Sequence, residues 1–212
     1  MLSVVGEMRR KHQAYNFSKE EKFRRRGGRF LEQYKSIKKE ESLHNMVNNK
    51  EREKGRRLLA DGCALVDTSG RTKEVREKSV LALASKGFNF TIIMYSSEKK
   101  KVFRKLEKKY GVKRTRIIVH AVKLYYALKD YLEVCPSFYI CCEGFDGGSL
   151  KHHLKQLLNI KYHEKKINIE KSLSPMFGKK NIADRLAREV NKKGKKPTFI
   201  LKENHFKNLG LL

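Results

Sequence analysis

The stretch Cys63-Ala64-Leu65-Val66-Asp67-Thr68-Ser69-Gly70 sets the frame for the whole chain. A short apolar run that closes on an aspartate and then on small turn-forming residues reads as a buried strand entering a turn. Two further apolar segments follow it. Residues 78–85 (Lys-Ser-Val-Leu-Ala-Leu-Ala-Ser) suit a strand, although Ala and Leu also suit a helix. Residues 88–95 (Phe-Asn-Phe-Thr-Ile-Ile-Met-Tyr) are rich in aromatic and β-branched side chains and read plainly as a strand. With a Lys86-Gly87 turn between the last two, the three form a meander.

Beyond the meander the pattern turns helical. Ser96 and Ser97 ahead of Glu98 start a helix, and Val102, Phe103, Leu106 and Tyr110 recur at helical spacing until Gly111 stops it. A second helix is expected over 115–134, with Ile118, Ala121, Val122, Tyr125, Leu128 and Leu132 on one side. The pair superficially matches a helix-turn-helix, but its second helix is too apolar for recognition of a groove. Pro136 then punctuates. Residues 137–142 read as a strand ending at Glu143, residues 144–148 as a loop, and Ser149 as the cap of a helix through Leu158. A short strand over 165–170, an amphipathic helix over 181–191, a last strand near 198–201 and a polar tail complete the domain.

Residues 1–60 differ in kind. They hold 17 Lys+Arg and 8 Glu but no Asp, with a basic run at Lys22-Phe23-Arg24-Arg25-Arg26 and interspersed opposite charges at Lys50-Glu51-Arg52-Glu53-Lys54. Such mixing is usual on solvated helices. We read a basic helical arm over 1–60, broken at Gly27-Gly28, and a folded domain over 61–212. The arm serves either to grip nucleic acid or to dock on the domain.

Composition narrows the partner. A hydrophobic fraction of 39% supports a folded core, while a net charge of +27 points to a polyanion, with nucleic acid first. A subunit of a larger ribonucleoprotein would carry the same charge. No run reaches the roughly 18 apolar residues of a membrane span. The opening residues make no secretory signal, and Glu7, Glu20 and Glu21 disfavour a transit peptide. Cys63, Cys135, Cys141 and Cys142 show no Cys-x-x-Cys spacing, so the expectation is a reduced, cytoplasmic protein with Cys141 and Cys142 as small buried hydrophobes.

Against 50 Lys+Arg the chain has only 5 Asp. Three of these fall where an apolar strand ends or a helix begins: Asp67, Asp146 (paired with Glu143) and Asp184. Their order along the elements resembles the ribonuclease H-like superfamily, which includes ribonuclease H, Holliday-junction resolvases, integrases and transposases. The most specific local match is Asn181-Ile-Ala-Asp184-Arg-Leu-Ala187, similar to the Asn-x-x-Ala-Asp-x-Leu-Ala segment that opens the last core helix of ribonuclease H. Val-Asp67-Thr-Ser-Gly resembles the family's first-strand aspartate. Glu143 is similar to the fourth-strand acid of the resolvase branch, and Asp146 could fill the corresponding role of ribonuclease H proper.

The resemblance covers about residues 61–200. It implies an α/β fold: a mixed sheet, made of a three-stranded antiparallel meander plus parallel strands, flanked by helices. It further implies Mg²⁺- or Mn²⁺-dependent hydrolysis of DNA or RNA by two metal ions. Asp67 would bridge both ions, Glu143 or Asp146 would complete one, and Asp184 the other. The chain departs from the family in three places. The family's further Glu on the first helix has no motif here, with Glu98 and Glu107 the available candidates; the stretch 98–134 is longer than one connecting helix needs; and no His-containing loop of ribonuclease H type precedes Asp184 at the family's spacing.

The chemistry asks for these residue types. Phosphodiester hydrolysis needs an activated water and a stabilised leaving oxygen, and two divalent ions about 3.5–4 Å apart supply both. Hard ions take carboxylate oxygens, not Cys or His. Read singly, each acid has a plainer role: Asp67 and Asp146 as turn residues, Asp184 as a complement to the helix dipole. Only their joint placement favours a site. His152-His153, about 100° apart on a helix, cannot readily share an ion, and His120 reads as a satisfied core histidine. Arg24, Arg25, Arg26, Lys179, Lys180, Arg185, Lys192, Lys193, Lys195 and Lys196 are the candidate phosphate contacts. The rival expectation is a non-catalytic nucleic-acid-binding protein with a degenerate form of the same fold.

Overall fold

The computed structural model describes residues 49–70, 72, 74–159, 167–178 and 181–212. One compact unit spans Glu51–Leu212. The expected helices of residues 1–48 lie outside the described residues, and with them Arg24, Arg25 and Arg26.

Helical residues 51–60 lead into the first strand. Their fit depends on Gly55, where a Cβ would collide with the main-chain carbonyl of Met176. The elements then follow as β1 (Ala64–Ser69), β2 (Ser79–Ala84), β3 (Asn89–Met94), α1 (Ser96–Leu128), β4 (Phe138–Cys141), α2 (Gly147–Leu158), β5 (Ile167–Glu170), α3 (Ser174–Phe177), α4 (Ile182–Lys193), β6 (Phe199–Ile200) and α5 (Glu203–Lys207).

The six strands form one mixed sheet in the order β5-β4-β1-β2-β3-β6. β2 is antiparallel to both β1 and β3, whereas β4, β5 and β6 each join in parallel. The chain is therefore α/β, with a meander at the start and parallel strands added on both sides. The ambiguous segment 78–85 is a strand because it is buried on both faces. Leu81 and Leu83 point to one core while Val80, Ala82 and Ala84 point to the other. Such two-sided burial removes the alternating signature that an exposed strand would show.

Two cores result. On one face Val66, Leu81, Leu83, Ile92 and Met94 meet Val102, Phe103 and Leu106 from the first half of α1 and Val119, Val122 and Leu124 from its second half. On the other, Leu65, Val80, Ala82 and Ala84 meet Ala183, Leu186, Ala187 and Val190 of α4. Alanines on both surfaces let the α4 backbone approach β2 closely.

The long connection 98–134 resolves into a helix broken at Gly111, whose φ of 74° only glycine adopts without strain. Helix ends at Leu128, short of the expected 134, because residues 129–134 coil into turns ahead of Pro136. The expected polar tail is also corrected. Residues 203–207 form α5, which inserts a fully buried Phe206 into the first core. Among the described residues no helix is long and apolar enough to cross a membrane.

Candidate functional site

Strand direction gathers the ends of β1, β3 and β4 at one rim. β1 and β3 run alike, and Ser69, Val80 and Ile93 lie level across three strands. β4 runs parallel to β1, so its exit at Glu143 lies on that same rim.

Asp67 pairs with Ala82 in the ladder and shares its side of β1 with Leu65, the side covered by α4. There it meets the start of α4. Asn181 is the N-cap: its Oδ1 accepts from the Asp184 amide at 2.9 Å, and its Nδ2 donates to Asp67 Oδ2 at 2.9 Å. One side chain thus caps the helix and holds the strand carboxylate. Asp67 Oδ1 accepts from the Thr68 amide at 2.8 Å. Burial pushes the Asp67 carboxyl above its usual range. Asn181 and Thr68 work against that rise, while the charges of Asp184 and Glu143 add to it.

Asp184 is buried at 7% exposure and accepts from Arg188 Nε at 2.8 and 2.9 Å, one turn along α4. The arginine itself remains more than half exposed.

Glu143 occupies the left-handed region at φ 51°, which is unusual for any residue but Gly, Asn or Asp. That turn sends its side chain toward the second half of α1, where His120 Nδ1 stands 3.8 Å from Glu143 Oε2. Burial pushes the Glu143 carboxyl up, but the His120 ring, Lys123 and the neighbouring hydroxyls of Thr68 and Thr72 outweigh it and leave the carboxyl low. Oε2 nevertheless has no partner in hydrogen-bonding geometry, and neither has Thr68 Oγ1.

Beneath this rim lies a set of buried cations that the sequence reading missed. Lys123 is fully buried and donates to Thr72 Oγ1 at 3.0 Å and Ser79 Oγ at 2.5 Å. Lys99, also fully buried, donates to the carbonyls of Glu74 and Glu77 at 2.8 and 2.9 Å. Burial brings Lys99 down to about 8 and Lys123 to about 7, against the opposing pull of Glu143. His120 is in the core, as expected, yet both ring nitrogens lack a hydrogen-bond partner, and burial lowers it to about 4. Phe145 covers its ring at 5.2 Å. A signal for the lysines was present. Lys99 precedes Val102 and Phe103 at helical spacing, and Lys123 follows Val119, so both stand on the apolar stripe of their helix.

Asp146 is placed elsewhere. It is exposed and caps α2, accepting from the Ser149 amide at 2.8 Å and the Ser149 hydroxyl at 2.6 Å. Of the two fourth-strand candidates, Glu143 is the one whose charge reaches Asp67. Arg185, Lys192, Lys193, Lys195 and Lys196 are exposed on and after α4, with Lys195 paired to Glu189 at 3.1 Å. Lys179 and Lys180 lie outside the described residues. His152 is exposed and His153 half-buried on α2.

The donor chemistry fits a hard divalent cation: two half-buried carboxylates and one buried carboxylate on one rim, with Glu143 Oε2 unpartnered. The three are not gathered into a cage, and among the described residues no group of three or more His, Cys, Asp or Glu is arranged to hold an ion. All four cysteines are free, with Cys141 half-buried and the other three buried.

Comparison of the chain with protein-family models, with curated proteins and with solved structures finds no match.

Proposed function

We propose that the chain is a metal-dependent nuclease of ribonuclease H-like type that hydrolyses phosphodiester bonds of DNA or RNA. The observation that carries this reading is the meeting of Asp67 and the Asn181–Asp184 cap, far apart in sequence, at one rim of the sheet. The strand order, with the meander β1-β2-β3 and β4 and β5 added in parallel beside β1, supports the same reading. So does the net charge of +27, suited to a polyanionic substrate.

Asp67, Glu143 and Asp184 would hold Mg²⁺ or Mn²⁺. The bound ion supplies an activated water and stabilises charge on the departing oxygen. The protein's own part is to position. Asn181 fixes the Asp67 carboxylate, the turn at Glu143 and Gly144 brings the second acid to the rim, and Arg188 holds the buried Asp184 through both of its oxygens. Lys192, Lys193 and Lys196, exposed at and beyond the C-terminal end of α4, offer phosphate contacts.

A second reading, a non-catalytic nucleic-acid-binding protein on the same framework, is favoured by one specific arrangement. Glu143 faces the buried Lys123 and the His120 ring, and Asp184 is already paired with Arg188, so the protein's own nitrogen groups stand where ions would be expected.

One experiment separates the two. Labelled single- and double-stranded DNA and RNA are incubated with the protein, with Mn²⁺ or with a chelator, alongside Asp67→Asn. Metal-dependent cleavage that Asp67→Asn abolishes, with binding retained, supports the nuclease. Binding without cleavage in any condition supports the second reading.

A further inference from the structure

The first half of α1 presents a solvent face made of cations. Lys100, Lys101, Arg104, Lys105, Lys108 and Lys109 are all exposed, and they fall at i, i+1, i+4, i+5, i+8 and i+9. That spacing makes two adjacent rows down one side of a helix. The opposite side is spent on the core through Val102, Phe103 and Leu106, each at 2% exposure or less. In the inner row, Lys101 pairs with Glu98 at 2.9 Å and Lys105 with Glu203 at 2.7 Å. The outer row of Lys100, Arg104 and Lys108 has no ion pair among the described residues.

We propose that this outer row is a phosphate-backbone track that leads a nucleic-acid strand to the rim bearing Asp67 and Glu143. The inference rests on the nucleic-acid reading above and adds to it a surface, an element and a direction.

Three observations carry it. First, the geometry suits a polymer of regular charge. Successive cations in the row are about 6 Å apart along the axis, and a nucleic-acid strand carries a charge about every 3.4 Å of its rise, so each rung meets roughly every second phosphate. Second, the row begins at the acidic rim. β3 ends level with β1 and passes directly into α1, and the first turn of α1 is fastened to the loop leaving β1 through Lys99, bonded to the Glu74 and Glu77 carbonyls. Third, the face lacks what other polyanionic partners need. No bulky apolar side chain stands among the cations to enter a lipid surface. The helix is pinned along its length by buried residues, so it offers a fixed ladder with little ordering cost on binding.

The test is equilibrium binding by fluorescence anisotropy, with labelled single-stranded DNA and RNA of about twenty nucleotides, repeated across salt concentrations. Wild type is compared with Lys100→Gln/Arg104→Gln/Lys108→Gln and with Lys86→Gln/Lys129→Gln/Lys202→Gln, which removes equal charge from exposed positions elsewhere. Circular dichroism verifies that each variant is folded. The track predicts at least a tenfold loss for the α1 variant near 0.1 M salt. Its salt slope should be shallower by about 2 to 3, as expected for three lost phosphate contacts, and the control should lose less than threefold. Equal losses in both variants, or an unchanged slope, overturn the track while leaving nucleic-acid binding intact. Absence of wild-type binding even at low salt overturns the track together with the reading it rests on. Polyglutamate competing as well as nucleic acid would reassign the face to an acidic protein.

Discussion

Asn181 Nδ2 donates to Asp67 Oδ2 at 2.9 Å across 114 positions of sequence, while Asn181 Oδ1 caps the helix that carries Asp184. A single side chain therefore fixes the distance between two acids that belong to different elements.

The tie and the cap can be separated. Asn181→Ala removes both and should destabilise the fold by about 2 kcal/mol, summing a lost cap and a lost charged hydrogen bond. Asn181→Ser retains a capping oxygen but is too short to hold Asp67, so it should recover about half of that loss. Urea unfolding of the three proteins measures both. Equal stability of Asn181→Ala and wild type would show that the bond carries no weight.

Asp67 is held at a cost to stability. Its folded carboxyl titrates above the usual range, so the folded state is favoured at low pH, where the group is protonated in both states. That advantage is lost as pH rises through the raised value. Asp67→Asn should accordingly raise the unfolding temperature at pH 7 while abolishing cleavage, and the two proteins should converge below about pH 4. A lowered unfolding temperature at neutral pH would contradict this account of the carboxylate.

The buried cations give the opposite profile. Lys99 at about 8 and Lys123 at about 7 both sit below their ordinary value, so above neutral pH the unfolded chain holds protons that the folded chain has released. Stability should climb between about pH 7 and pH 10, and fall as pH is lowered through that window. His120, lowered to about 4, extends the decline between about pH 6.5 and pH 4. Lys123→Met should make the alkaline part shallower, leaving the share due to Lys99, and should not change the acid part. Thermal unfolding from pH 5 to pH 9 tests both limbs, and parallel curves for wild type and Lys123→Met would refute the assignment.

Arg188 occupies both Asp184 oxygens, so on the nuclease reading it competes with an ion for that carboxylate. Arg188 is exposed but its partner is buried, so Arg188→Ala leaves the Asp184 carboxylate without that partner and should lower the unfolding midpoint. On the nuclease reading Arg188→Ala should also tighten Mn²⁺ binding measured by calorimetry, and added Mn²⁺ should restore part of the lost stability. Weaker binding in the variant would mean that the arginine does not occupy a ligand position.

Much of the architecture was legible because its signals are local. The apolar run into Asp67, the aromatic and β-branched segment 88–95 and the Asn181–Asp184 start signal each appear within a residue or two of the observed elements. Gly111 was readable as a break because no other residue accepts its backbone freely. What the sequence did not disclose depends on long-range packing. Asn181 stood at the head of the expected helix over 181–191, but its bonds to the Asp184 amide and to Asp67 are visible only when β1 and α4 meet. Glu143 and Asp146 could not be told apart until the left-handed turn at 143 aimed one side chain inward and α2 engaged the other as its cap. Lys99 and Lys123 were hidden by the habit of reading lysine as exposed, although both stood on apolar stripes. Phe206 lay in a stretch too short to show a period.

The central claim, that Asp67 and Asp184 share a divalent cation at the rim they jointly form, is tested most directly by anomalous diffraction from crystals soaked in Mn²⁺. The account predicts a peak about 2.1 Å from a carboxylate oxygen of each, with Arg188 swung away from Asp184. Well-ordered carboxylates at both positions, with the Arg188 pair intact and no peak between them at millimolar Mn²⁺, would contradict it.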